Sequence, residues 1–300
     1  MKKRNHYVWK HYLKPWTNKN GKIVCKKEGK IIEVNVDKIA VEKYFYKLEF
    51  LTTDDFLFIE KIFCNEKNPV ILESNKEYLE LFSWVNMLIS LRSKINDISI
   101  QKKLDALVIE FNENIHNIIE NSSEKYLQCL YKKDISFYDT PNGIVDFNTF
   151  ICEQYFRTSY MKRRMMGMQI SFKNVNFENC WNIASHILAS NLAGTLSMER
   201  EHFSCVLLEN NTVIPFYTSD QPVINIAANR NFNRQLTVNE FEFYYPITPN
   251  LALLMCLKKN LLGSQNKSMI LDETRVKNYN AMVISQGGKL IFSNTMKGLL

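Results

Sequence analysis

The sequence predicts an α+β fold, with one mixed or antiparallel sheet built from N- and C-terminal strands and packed against a helical middle region. Three observations carry this expectation. Short runs of Ile, Val and Phe bounded by turn residues lie before residue 40 and again after residue 203. Between about 54 and 200 the apolar residues recur at helical spacing. No repeat, low-complexity tract or flexible linker interrupts the 300 residues, so one domain over 1–300 is expected, helical at about 54–200 and β-rich at about 203–300. A boundary near 139–143 or 199–202 is the alternative.

The chain opens with an aromatic, basic arm containing His6, Tyr7, Trp9, His11, Tyr12 and Trp16. Its plainest reading is an amphipathic arm that lays its rings on the sheet and leaves Lys10 and Lys14 in water. Its functional reading is an imidazole acid or base beside rings that stack on a nucleobase. Residues 21–25 and 30–36 then read as a β-hairpin turned at Glu28-Gly29. Thr53-Asp54-Asp55 starts a helix, with carboxylates suited to its first turn, and Phe56, Ile59, Ile62 and Phe63 continue its apolar face. Residues 76–93 form a second helix, and 98–131 two more, broken near Asn121-Ser122-Ser123. Residues 139–143 read as a turn, 146–168 as one long helix and 177–198 as another.

From His202 the pattern shortens. Residues 203–208 and 213–217 flank Glu209-Asn210-Asn211 as a hairpin, followed by strands at 222–226, 240–245 and 251–257. A helix at 272–284 precedes Gly287-Gly288 and a last strand at 289–292.

Composition narrows the classes. Seven scattered cysteines without a CxxC pair argue against a disulfide framework or a structural zinc site and for free thiols in a reducing compartment. No apolar core follows the basic start, and no apolar run approaches a membrane span. A cytoplasmic location without membrane contact is therefore expected. The net charge of +7 fits a phosphate-bearing partner without establishing one.

No P-loop, GxGxxG, HExxH or GxSxG motif is present. Thr218-Ser219-Asp220-Gln221-Pro222 falls between two strands, where a plain turn competes with a projecting carboxylate, as metal ligand or base. Gln154 and Arg157 share a helix face, and Arg157 suits a phosphate or a structural partner such as Asp220 or Glu60. Lys162-Arg163-Arg164 reads as an extension of a positive surface or as a plain solvated face. Glu60 lies amid Phe56, Phe58, Ile59 and Ile62, as a ligand if buried and a surface residue if not. His116, His186 and His202 show no metal-ligand spacing and read as structural.

These pieces together resemble the DUF4238 family, a bacterial domain of unknown function. The likeness begins at His6-Tyr7-Val8 with Tyr12-Leu13 and Trp16, and resumes at Val41 to Tyr46, Glu60, Gln154 and Arg157-Thr158. It is fullest at Thr218 to Val223 and Tyr245-Pro246-Ile247-Thr248-Pro249, and closes at Asn280 and Ile291-Phe292-Ser293. Trp9 stands where the family has Pro, and Ser159 where Pro follows Thr158. The resemblance brings no settled activity with it. Its recurrent polar positions match His6, Gln154, Arg157, Ser219 and Asp220.

The leading expectation is an enzyme acting on nucleic acid or another phosphate-bearing substrate: a metal-dependent nuclease or phosphodiesterase of bacterial antiviral defence. In it His6 is acid or base, and Asp220 and Glu60 are catalytic carboxylates holding a divalent cation, Mg²⁺ or Mn²⁺. Tyr7, Gln154, Arg157 and Ser219 bind substrate. The alternative is a non-catalytic binding or regulatory module that contacts a partner protein, which an exposed apolar patch would favour. A third reading is an enzyme on a small molecule held in a pocket.

Overall fold

The computed structural model describes residues 4–167, 174–230, 241–258, 267–296 and 299. Residues 1–3, Met168 and Glu240, which enter the expectations above, lie outside the described residues. The fold is α+β. An N-terminal arm holds β1 (Arg4–His6) and α1 (Lys10–Leu13), followed by β2 (Lys22–Lys27), β3 (Lys30–Asn35) and β4 (Val41–Lys43). The helical middle comprises α2 (Thr53–Phe63), α3 (Pro69–Arg92), α4 (Ile98–Tyr131), α5 (Pro141–Phe156), α6 (Ser159–Met166) and α7 (Phe177–Met198). Then come β5 (Phe203–Asn210), β6 (Thr218–Ser219), β7 (Ile224–Asn225), β8 (Glu242–Thr248), β9 (Leu251–Leu257), β10 (Ser268–Leu271), α8 (Glu273–Gln286) and β11 (Leu290–Ser293).

Strands from the two ends of the chain do share a sheet, in the order β3-β2-β11-β6. The remaining strands divide differently from the single expected sheet. Five C-terminal strands form a second sheet, β10-β5-β9-β8-β7, and β1 pairs with β4 in a two-stranded ribbon. The β2–β3 hairpin turns through two residues with positive φ, Glu28 at 50° and Gly29 at 78°. That handedness matches the twist of the flanking strands, and Gly accepts it without strain. The strand β9 reads Leu-Ala-Leu-Leu-Met-Cys-Leu and is buried throughout, as a strand covered on both faces must be.

Four local expectations give way to tertiary context. The second strand expected at 213–217 does not form. Instead β5 pairs with β9 and β10, while the Asn210 side chain holds the Ile214 carbonyl and Phe216 N–H donates to Pro249, steering the chain to the other sheet. Helix α4 runs unbroken through Ser122 and Ser123, whose hydroxyls donate to the Ile119 carbonyl, because Ser123, Tyr126 and Leu127 are buried where α4 packs on α5. The expected turn at 139–143 is the start of α5, with Thr140 capping Gly143 N–H and Pro141 in the first turn. The long helix expected to 168 breaks after Phe156, where Thr158 caps α6.

Two clusters of buried apolar side chains form. One joins the N-terminal arm, the sheets and α5; the other lies among α2, α3, α4 and α7. Helix α7 packs on α2, α3 and α5, and α4 packs on α3 and α5. No helix among the described residues is long and apolar enough to cross a membrane. All seven cysteines are free thiols.

Candidate functional site

The family-like residues segregate into two clasps around the N-terminal arm. In the first, Arg157 at the end of α5 is 4% exposed and every guanidinium nitrogen has a partner. Its Nε donates to the Tyr46 phenol at 2.9 Å and its Nη2 to the His6 carbonyl at 3.0 Å, while Nη1 pairs with Glu120 of α4. The Tyr46 phenol also donates to the His6 carbonyl, at 3.2 Å. Burial pushes the Glu120 carboxyl up, and the Arg157 charge, with the nearby Gln154 amide, pulls against it. With each nitrogen partnered and the whole group buried, Arg157 pins β1 to the helical layer. His6 contributes its backbone, and its part-buried imidazole lies 3.4 Å from the Val36 carbonyl.

The second clasp is built on the loop after β6. Asp220 is 2% exposed, and its two carboxylate oxygens accept Leu290 N–H at 3.1 Å and Lys289 N–H at 3.3 Å. The Tyr7 phenol feels the charge of this carboxylate, and burial keeps both groups above their usual pKa ranges. A Cβ at Gly288 would fall 2.3 Å from Asp220 Oδ1, and one at Gly287 2.6 Å from Ser219 Oγ. Two glycines are therefore needed for β11 to approach the loop. The Ser219 hydroxyl donates to the Gln221 carbonyl and accepts Gln221 N–H, which is the turn chemistry. Gln221 in turn takes the Thr158 hydroxyl and donates to the Tyr155 carbonyl, tying this clasp to the α5–α6 junction.

Glu60 joins neither clasp. It sits on the exposed face of α2, whose buried residues Phe58, Ile59 and Phe63 face the helical core. Of the two carboxylates expected to hold a divalent cation, Asp220 accepts one backbone N–H on each oxygen and Glu60 is exposed on α2.

The helices bring a third, different group together. Asn112 and His116 on α4, Glu153 on α5 and His186 on α7 project between the two apolar clusters. His116, Glu153 and His186 each offer a ligand atom, all within 4.8 Å of one another. Their side chains are 3%, 2% and 0% exposed. His186 Nδ1 lies 2.7 Å from Glu153 Oε1, and its Nε2 lies 2.7 Å from Asn112 Oδ1. His116 Nδ1 lies 3.6 Å from Glu153 Oε2, and neither atom has a hydrogen-bond partner. His186 thus has a partner at hydrogen-bond distance on each ring nitrogen, its tautomer and the Asn112 amide orientation deciding which atoms donate. Burial, then the charges of Arg157 and His186, pushes His116 well below the usual imidazole range. Tyr46 covers His116, with ring centroids 4.5 Å apart, and Tyr78 lies flat on His186 at 5.5 Å.

Sequence reasoning read both histidines as structural because their spacing, 70 residues apart and on different helices, carries no ligand pattern. One signal was available. Asn112, Glu113, His116 and Glu120 fall at i, i+1, i+4 and i+8, a polar stripe on the buried side of an otherwise apolar helix face.

No curated protein and no solved structure matches the chain. One family model matches residues 4–297, and it includes both clasps. The chain belongs to the family described as Protein of unknown function (DUF4238).

Proposed function

We propose that this protein is a metal-dependent enzyme with its centre at His116, Glu153 and His186, acting hydrolytically on a phosphate-bearing substrate. One observation carries the reading: two imidazoles and a carboxylate from three helices converge in a buried space, and two of their polar atoms have no partner. Buried polar groups rarely go unpaired without a reason such as a bound ion. Two nitrogens and one oxygen suit Zn²⁺, Fe²⁺ or Mn²⁺ better than Mg²⁺, which prefers an all-oxygen shell. Three protein ligands leave positions for water and substrate, and a metal-bound water ionises near neutral pH. His186 Nε2–H on Asn112 is the kind of outer bond that orients a metal-binding ring. The net charge of +7 and the exposed Arg163 and Arg164 of α6 support a phosphate-bearing substrate, nucleic acid included. The free thiols support a cytoplasmic setting.

The test is metal content of the purified protein, followed by hydrolysis of bis(p-nitrophenyl) phosphate, DNA and RNA with Zn²⁺, Mn²⁺, Fe²⁺ or Mg²⁺ restored. Glu153→Gln and His186→Asn, checked for folding, should lose both stoichiometric metal and turnover. Protein that takes up no metal at all ends the proposal.

A second reading is favoured by the helical surface. Leu81, Trp84, Met87 and Leu91 of α3 and Leu107 of α4 are exposed apolar residues, with Trp84 at 58% and Leu107 at 60%. Leu81, Trp84 and Leu107 line one shallow depression. Such a patch supports a binding module that docks a partner protein. On this reading Trp84→Lys abolishes association and the centre is dispensable.

A further inference from the structure

A cleft of about 490 Å³ opens between residues 44–49, α3 and α4. It shares walls with the buried centre. Val108 and Ile109 in its floor stand one helical turn before Asn112 and Glu113. The Lys47 carbonyl on its other wall accepts Asn182 Nδ2 at 3.0 Å, and Asn182 is one turn before His186. Tyr46, next to Lys47 in the chain, lies against His116. The cleft and the centre therefore adjoin along α4 and residues 44–49. Tyr44 at its mouth has φ of 55°, a left-handed conformation that bulky residues seldom adopt outside functional segments.

Its lining has two parts. Leu48, Ile89, Val108 and Ile109 give an apolar floor. Above them stand two cations and two anions, arranged as pairs: Lys47 Nζ lies 2.6 Å from Glu49 Oε1, and Arg92 donates to Asp105 at 2.6 and 2.9 Å. The Lys47–Glu49 pair is 41% and 52% exposed, so solvent screens it and a ligand opens it readily. Both pairs line the one cleft.

Charge balance selects the guest. An anion that takes Lys47 parts it from Glu49, and a cation that takes Glu49 parts it from Lys47, so a singly charged guest gives up one screened ion pair for each that it makes. A molecule carrying both charges satisfies both hosts at once. The volume falls within the range of small-molecule sites, about 300–1,000 Å³, and does not accommodate a nucleic-acid duplex.

We infer that this cleft binds a small zwitterion, an anionic and a cationic group together at one end of an apolar body, and that it presents this molecule to the adjoining centre. The inference rests on the proposed function for what happens next, but not for binding. Its anionic group is the phosphate or carboxylate of the substrate.

The experiment is calorimetric titration of metal-free protein with three probes that share a phenyl body: L-phenylalanine, 3-phenylpropionate and phenethylamine. Phenylalanine should bind about threefold tighter than either singly charged probe, as expected for one added contact to a solvent-screened charge. Lys47→Ala, on an exposed side chain, should weaken phenylalanine and strengthen phenethylamine. Glu49→Ala should weaken phenylalanine and strengthen 3-phenylpropionate. Equal binding of all three probes, no binding of any, or indifference to both variants would overturn the inference. Because the protein is metal-free, these outcomes are independent of the centre. Zwitterion preference in a protein that never takes up metal would sink the enzyme reading and leave the cleft standing.

Discussion

Arg157→Ala distinguishes a phosphate-binding arginine from a structural one. In the folded chain its guanidinium meets Glu120, the Tyr46 phenol and the His6 carbonyl, all away from water. Truncation leaves the Glu120 carboxylate buried and unpaired, with 5% of its side chain exposed. Breaking one side of a buried ion pair destabilises by about 3–5 kcal/mol. The lost bonds to Tyr46 and His6 lie within the same disruption, so the expected total stays near the upper end, about 4–5 kcal/mol. With a urea dependence of about 3 kcal/mol per molar, the unfolding midpoint should fall by about 1.5 M. The double variant Arg157→Met with Glu120→Leu removes both charges and should recover most of that loss. Circular dichroism against urea measures all three proteins. A midpoint shift below about 0.3 M for Arg157→Ala, with a normal fold, would refute the clasp and return Arg157 to the phosphate-binding role.

Three further outcomes are expected. Gly288→Ala should lower the thermal midpoint by several degrees, because its Cβ would meet Asp220 Oδ1 at 2.3 Å and overpacking costs about 1–3 kcal/mol; an unchanged midpoint removes the second clasp. Tyr78 is part-buried and lies flat on the fully buried His186, so Tyr78→Ala should speed metal removal by a chelator at least about tenfold without changing the stoichiometry, provided metal is bound. An unaltered release rate would show that the centre exchanges by another route. Burial pushes the Cys64 thiol up to about 11 and Cys25, Cys180 and Cys256 up to about 12, so the thiolate that reacts with Ellman's reagent is scarce at pH 8. Those four thiols should react slowly in the native protein and fast in urea, and the half-buried Cys129 should react first; rapid titration of all seven at pH 8 contradicts this.

The sequence by itself determined the class of fold. Periodicity placed the helical middle, the apolar run of β9, the Glu28-Gly29 turn and the last strand, because each depends on residues within a few positions of one another. The likeness to its family was also legible, from His6-Tyr7 to Ile291-Phe292-Ser293. Local signals misled where distant partners intervened. Ser122 and Ser123 weaken a lone helix, yet α5 packing holds α4 together; Asn210 suggests a hairpin, yet its amide ties the chain to Pro249.

Only the tertiary structure decided which polar residues form a frame and which form a centre. The chemical type of Arg157 and Asp220 suits a site, but burial with each nitrogen and each carboxylate oxygen partnered within the protein makes both clasps. The chemical type of His116 and His186 suggested nothing, because ligand geometry is a property of distance in space. Three helices separated by loops of unrelated length set those distances through apolar packing. A packed core fixes positions to fractions of an ångström, and no spacing along the chain encodes that.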